Sequence, residues 1–458
     1  MRDDVMTSIH RIRFRKNVFL IALAGMMTLP ALGYAQAVEA LSLQAARTRA
    51  LASHPEILSA EQAVNAARAG VREARAIRLP SVGLSANYAR LSDIPDPTVS
   101  VPMPGGVQSI QIAPVILDQY SVKASARAPL FTGFRLQNAE KAASAFASAA
   151  QHDFDATRED ISFAVENAYW AVFGTRRAVE TIRETVRLVE VHRADVERLR
   201  DAGLVTQNDV LGVDVRLSEA RLRLAIAEHR AELAEATLAD LTGLAPGTTI
   251  SLLDTPSVAT RVLPPVDTLH TAALRQRPEI QALDLRMEAL NLRADVTRGE
   301  RYPTVALGAE YAYARPNQRI FPAKDRWDDT WMVGVGVEWT VWNWGATSAR
   351  VGKAKAEAQR IAEQRRGMID AIRLGVLNAY LGVVEVDRRL SLADVTVTQA
   401  RDHEQGLRER FRAGDATSTQ VLDAEVALEQ AKQTRIQALV DSEIAWARLE
   451  RAVGGRLR

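Results

Sequence analysis

Three observations in this 458-residue chain predict a mainly helical, internally duplicated protein with a small amount of membrane β-structure. Its 17 prolines avoid two long tracts, Leu130 to Ala245 and everything after Pro322. The two halves of the chain repeat one another. Four short segments alternate apolar and polar residues with period two, and the aromatic side chains concentrate in and around them.

The chain opens on an export signal. Arg11, Arg13, Arg15 and Lys16 precede an apolar stretch that begins over Val18 to Ala24, and Ala35-Gln36-Ala37 fits the small-x-small cleavage pattern. The alternative is an uncleaved anchor, against which Pro30 and the brevity of the apolar stretch both count. The full chain carries 58 basic and 56 acidic residues, net +2. Without residues 1–37 it carries 53 and 54, net −1. Such a balance argues against nucleic acid as a partner. No later segment offers the ~20 consecutive apolar residues of a spanning helix.

The chain has no cysteine, which excludes disulfides, thiolate metal sites and a lipidated N-terminal cysteine. Seven histidines are scattered, and no H-E-x-x-H, G-x-S-x-G, P-loop or G-x-G-x-x-G is present. The sequence gives no reason to expect a catalytic, cofactor-binding or metal site.

The duplication is read from constant offsets. An offset of 223 carries Leu51, Pro55, Glu56, Ile57, Pro80 and Tyr88 onto Leu274, Pro278, Glu279, Ile280, Pro303 and Tyr311. An offset of 211 carries Asn167-Ala168-Tyr169 onto Asn378-Ala379-Tyr380, and Gly203, Thr206 and Val210 onto Gly414, Thr417 and Val421. The change of 12 falls in the proline-rich segment 91–118. The chain therefore divides into signal 1–37, first repeat 38–250, linker 251–266 and second repeat 267–458. Each repeat reads as helix, strand, loop, strand, long helix, turn, helix.

The strands fall near 81–90, 119–130, 304–313 and 331–342. In the fourth, Trp331, Val333, Val335, Val337 and Trp339 oppose Met332, Gly334, Gly336, Glu338 and Thr340. An apolar face opposite one that carries Lys123, Arg127, Glu310 and Glu338 suits a water-filled membrane barrel, although a one-sided soluble sheet alternates in the same way. Aromatic placement favours the barrel. Thirteen of 25 aromatics lie in residues 80–134 and 302–344, and Trp331, Trp339, Trp342 and Trp344 form a candidate interfacial belt. Four strands cannot close alone, since the smallest barrels have about eight. Several chains must share one barrel.

The proline-free tracts are rich in Ala, Leu, Glu and Arg, the good helix formers. Val210, Val213, Leu217, Ala220, Leu224, Ala227, Ala231, Ala234, Leu238 and Leu241 form an unbroken heptad seam. The helix from about Arg135 to Arg200 would be roughly 100 Å long at ~1.5 Å per residue, a length that spans a distance rather than filling a core. Both hairpins turn at a glycine, Gly203 and Gly414. Thr206 with Asp209, and Thr417 with Gln420, have helix-capping spacing.

This constellation resembles the TolC-like outer-membrane efflux proteins. The residues that carry the likeness are Pro80 and Pro303, the PLFTG and VWNWG segments (Pro129–Gly133, Val341–Gly345), the Asn-Ala-Tyr pairs and the glycine tips. The resemblance implies a homotrimer with four strands per chain in a shared twelve-stranded barrel, above a helical tunnel that crosses the periplasm. It implies a passive exit duct in the outer-membrane lipid, reached from an inner-membrane pump through a periplasmic adaptor. Gly203, Leu204, Val205 and Thr206, with Gly414, Asp415, Ala416 and Thr417, would be the docking tips. Asp209 and Asp423 fall where the family places gate carboxylates, with Phe411 and Gln420 in the remaining gate positions. Phe411 and Ala416 replace a tyrosine and an arginine of the best-known pattern. The competing readings are a periplasmic adaptor and a structural coiled coil.

Overall fold

The computed structural model describes residues 38–456, except 96, 113, 246 and 258–260. The export signal lies outside the described residues. The first repeat runs β1 (Val38–Leu41), α1 (Leu43–Ser53), α2 (Pro55–Ala76), β2 (Ser81–Arg90), β3 (Thr98–Met103), β4 (Gly106–Gln111), β5 (Asp118–Phe131), α3 (Arg135–Asp201), α4 (Gln207–Thr242) and β6 (Thr249–Leu252). The second runs α5 (Val266–Gln276), α6 (Pro278–Arg298), β7 (Thr304–Arg315), β8 (Asp328–Glu338), α7 (Ala346–Ala413) and α8 (Ser418–Val453).

Four details differ from the sequence scheme. The opening helix of each repeat is two helices, because His54 and Arg277 are held extended (ψ 132° and 121°) ahead of Pro55 and Pro278. The fourth strand stops at Glu338, opposite Thr304, so Trp339 to Trp342 lie beyond the last partner on β7. The long loop of the first repeat carries its own hairpin, β3 with β4, and β1 pairs in parallel with β6. Finally, one stretch of α7 reaches a mean hydropathy of 1.4, long and apolar enough by composition to cross a bilayer. Ile372, Val376, Ala379 and Val383 of α7 are nevertheless buried in a core shared with α5 and α8.

The elements pack as three rows. The sheet is ordered β2-β5-β7-β8, antiparallel throughout. Beneath it α2, α3, α6 and α7 lie side by side, and beyond them α4, α3, α8 and α7. The helices α3 and α7 have 67 and 68 residues, and each belongs to both helical rows. In every row one edge comes from the first repeat and the other from the second.

The core explains the Asn-Ala-Tyr motif. Tyr169 is fully buried between α3 and the β1–β6 pair, its hydroxyl 3.0 Å from the Leu41 carbonyl. Tyr380 packs against the equivalent cluster of the second repeat. The heptad seam also faces inward: Val210, Val213, Leu217, Ala220, Ala227, Ala231 and Leu238 are buried.

Strand meets long helix through a left-handed pair in both repeats, Gly133-Phe134 (φ 62° and 63°) and Trp344-Gly345 (φ 55° and 84°). This is what PLFTG and VWNWG encode. At Gly133 an added Cβ would lie 2.4 Å from the Gly299 carbonyl, so only glycine fits.

Candidate functional site

The sheet and the hairpin tips are the two places where the chain commits exposed side chains to a pattern. On one face of the sheet, cross-strand registry lines up Val82, Leu84 and Ala86 with Ala126, Ala124 and Val122, then Ala309, Leu307 and Tyr311 with Val333, Val335 and Trp331. Val82 and Leu84 are 81% and 78% exposed, far more than a soluble sheet leaves on its apolar side.

Aromatic side chains bound this face at both ends. At the loop end Tyr88 stacks near Tyr120 (4.9 Å between centroids), and Trp327 lies against Tyr120 and Tyr313, with Trp331 beside them in sequence. At the helix end stand Trp339, Trp342 with Trp344 (5.8 Å), and Phe131 with Phe134. Trp339 donates its indole N–H to the Arg301 carbonyl at 3.0 Å. Trp331 in β8 and Trp339 just past its end are eight residues apart, roughly 26 Å along the chain at ~3.3 Å per residue and about 20 Å of height at a barrel tilt of ~40°. An outer-membrane apolar band is ~25 Å tall between its aromatic girdles.

The opposite face carries the predicted polar set. Lys123 and Glu310 come within 3.9 Å of one another, Arg127 pairs in register with Gly308, and Glu338 with Thr304.

The two tips are built alike. The amide of Leu204 donates to the Leu199 carbonyl (2.9 Å) and that of Gly203 to Arg200 (2.8 Å); Asp415 and Gly414 repeat the pattern on Arg410 and Phe411 (2.8 and 3.1 Å). These are Schellman closures, with Gly203 and Gly414 left-handed at φ 74° and 86°. Each following helix opens on a capping box. The Thr206 amide and hydroxyl donate to Asp209 (2.8 and 2.7 Å), and the Asp209 amide donates back to Thr206 Oγ1 (3.3 Å). Those hydrogen bonds hold the Asp209 carboxyl below the usual carboxylate range. In the second tip the Thr417 amide donates to Gln420 Oε1 at 2.8 Å.

Leu204, Thr206 and Asp415 are exposed, and Val205 and Ala416 are half-buried. Asp423 is exposed and lies 3.4 Å from Arg216 of α4. Phe411 points the other way. It is half-buried in a seam with Val186, Val189, Val196 and Leu422, 5.1 Å from the His192 ring.

Two features escape a reading of motifs alone. Beside that seam, Arg408 lies between Glu404 and Glu425, 3.3 Å from the latter, and both acids are buried. Burial pushes the Glu425 carboxyl up to about 7 and the His192 imidazole down. His192 Nε2 meets Ser418 Oγ at 2.7 Å and so ties the two hairpins together. The second feature is a pair of apolar stripes on the outermost helices. Leu211, Val215, Leu222, Ile226 and Leu233 lie exposed along α4, and Leu374, Leu381, Leu392 and Val395 along α7. Heptad spacing on α4 carries the first stripe, as a second apolar face beside the buried seam.

A four-stranded sheet with a girdled apolar face, standing on two helical hairpins whose longer helices span about 100 Å, fits an outer-membrane channel. The chain belongs to the outer membrane efflux protein family, whose sequence model matches residues 46–244 and 269–455. It is similar to the pyoverdine export outer membrane protein OpmQ of Pseudomonas putida, 26% identical over 320 residues that cover 67% of this chain and 66% of that protein. The match thus spans just under two thirds of OpmQ. Protein CyaE of Bordetella pertussis is 27% identical over 74% of this chain and 68% of its own. Among solved structures, the outer membrane protein VceC of Vibrio cholerae superposes with a TM-score of 0.73 at 21% identity, covering 91% of this chain and 97% of VceC. A membrane protein from Pseudomonas aeruginosa superposes at 0.75 with 19% identity, over 90% and 92%. These likenesses show the fold.

Proposed function

We propose that the chain is one protomer of a passive exit duct that carries cargo out through the outer membrane. The observation that carries this reading is the openness of all three rows. Sheet edges are not tolerated in lipid, and β2 and β8 both end without a partner. The apolar stripes on α4 and α7 sit on the matching outer edges of the helical row. Because the edges belong to opposite repeats, copies of the chain join head to tail, β8 beside the next β2 and α7 beside the next α4. Such contacts make rings when the rotation closes.

Family likeness supports three copies, hence a twelve-stranded barrel continuous with a periplasmic helical tunnel. In that arrangement Lys123, Arg127, Glu310 and Glu338 line the lumen, and the Trp331 and Trp339 bands mark the two lipid interfaces. The tips Gly203–Thr206 and Gly414–Thr417 meet a periplasmic adaptor that connects to an inner-membrane pump. Asp209 and Asp423 supply carboxylates at the narrow end. A ring of carboxylates there favours cations. An adaptor or structural coiled coil leaves the girdled sheet face without a role.

The test is cell fractionation with electrophoresis of unboiled samples. The duct reading expects an outer-membrane oligomer that collapses to monomer on boiling. Recovery as a soluble periplasmic monomer contradicts it.

A further inference from the structure

The buried cluster beside the tips does work that a capped hairpin does not need. Glu404 and Arg408 lie on α7, Glu425 on α8, and their side chains are 8%, 33% and 2% exposed. One guanidinium faces two carboxyls, and Oε2 of Glu425 is buried with no hydrogen-bond partner. With both acids ionised, the cluster holds an unbalanced negative charge away from water, which is costly.

Among the described residues the neighbouring charges are engaged elsewhere, and Arg408 acts on Glu184 of α3 as well. From α3, Glu184 is engaged by Arg187 of its own helix, Asp195 by Arg198, and His192 donates or accepts with Ser418. From α4, Arg223 is engaged by Glu429 of α8. Lys432 of α8 acts on Glu184.

The first repeat supplies the control. The equivalent triad, offset by 211, is Arg193 with Glu197 (3.0 Å) and Asp214 (2.5 Å), the same one-to-two ratio with the arginine and one acid exchanged. Its side chains are 34% to 39% exposed in the single chain. It sits between α3 and the edge helix α4, whereas α8 lies inside the row between α3 and α7.

We propose that Glu425, buried beside Glu404 and Arg408, keeps a bound proton while the two hairpins are seated against each other, and that losing this proton loosens the tip. The second hairpin is thereby a proton-operated latch on the end of the chain that the duct reading assigns to the gate. The direction follows from linkage. Glu425 binds its proton more tightly when packed than when released, so seating is strongest in acid. It weakens as pH rises from the ordinary carboxylate range through about 7, and is flat above that. His192, held neutral by burial, acts in the opposite sense and weakens seating below its usual range.

The experiment is amide hydrogen exchange, corrected for the intrinsic pH dependence, on the full chain in detergent between pH 5 and 8. The readout is protection over residues 186–200 and 404–430. Comparison with Glu425→Gln, a neutral stand-in for the protonated acid, cancels the His192 contribution. The ratio of wild-type to Glu425→Gln protection should be highest at pH 5 and fall by about tenfold or more by pH 8, since each unit of pKa displacement is worth about tenfold. Glu404→Gln leaves one acid facing Arg408 and should diminish the fall, with burial of Glu425 sustaining the rest. Protection over residues 372–386, far up α7, serves as an internal reference and should not respond. A flat ratio, or a fall that is undiminished in Glu404→Gln, overturns the proposal. Neither result touches the duct reading, which fractionation decides separately.

Discussion

The two repeats place one arginine between two acids at equivalent positions, yet Arg193 holds its partners in the open and Arg408 holds its partners in the interior. At these positions the sequences differ only in which helix position carries the arginine and in the length of one acid, neither of which sets burial. Both hairpins have the same glycine closure and a capping box opened by threonine, completed by Asp209 in one and Gln420 in the other. The difference is position in the row: α4 is an edge and α8 is not. Duplication thus produced two similar hairpins, and assembly side by side gave their charges different dielectric surroundings.

Substitutions sharpen the contrast. The largest difference is expected between Arg408→Ala and Arg193→Ala. The first strands two buried carboxyls, a loss of roughly 3–5 kcal/mol in the opening free energy of its hairpin. The second removes ion pairs about a third exposed in the single chain, worth under about 1 kcal/mol. Hydrogen exchange at the two tips measures both, and equal losses would break the comparison.

Next come the strand-to-helix junctions. Gly133→Ala forces a Cβ against the Gly299 carbonyl and Tyr302, while Gly345→Ala meets open space. Both carry the left-handed penalty of about 1–2 kcal/mol. Gly133→Ala should therefore lower the yield of folded oligomer well below that of Gly345→Ala on unboiled gels.

Where the repeats are alike, effects should match. Thr206→Ala and Thr417→Ala each remove one capping box and should each cost about 1 kcal/mol of local stability, read by exchange at residues 207–210 and 418–421. The smallest effect is the one place where the boxes differ. Asp209 is ionised more readily in the folded tip, so its cap is fully present above the usual carboxylate range and is lost as pH falls through its depressed pKa. Gln420 does not titrate. Acid should fray the first tip before the second, and Asp209→Asn should make them equal.

Much of this was legible in the residues because it rests on local rules. Period-two alternation set the faces of the four strands, and the Gly203 and Gly414 closures followed from spacing. The burial of Glu425 was not legible. It follows the seam residue Ala424 just as Asp214 follows Val213, and only the neighbour across the row distinguishes them. The contact of Phe411 with His192 was not legible for the same reason, since it joins residues of different hairpins. The split at Pro55 and Pro278 was within reach, since a residue ahead of proline avoids the helical region.

The central claim is that each chain is an open arc closed head to tail by its copies. The chain lacks cysteine, so two single variants, Leu222→Cys on α4 and Val395→Cys on α7, can be co-expressed and treated with a short bismaleimide. The two positions stand at similar heights above the tips, 15 residues past Gln207 and 18 before Ala413. Head-to-tail closure predicts crosslinks between the two variants and none when either is expressed alone. Crosslinks within a single variant, or no crosslink in the mixture, would contradict it.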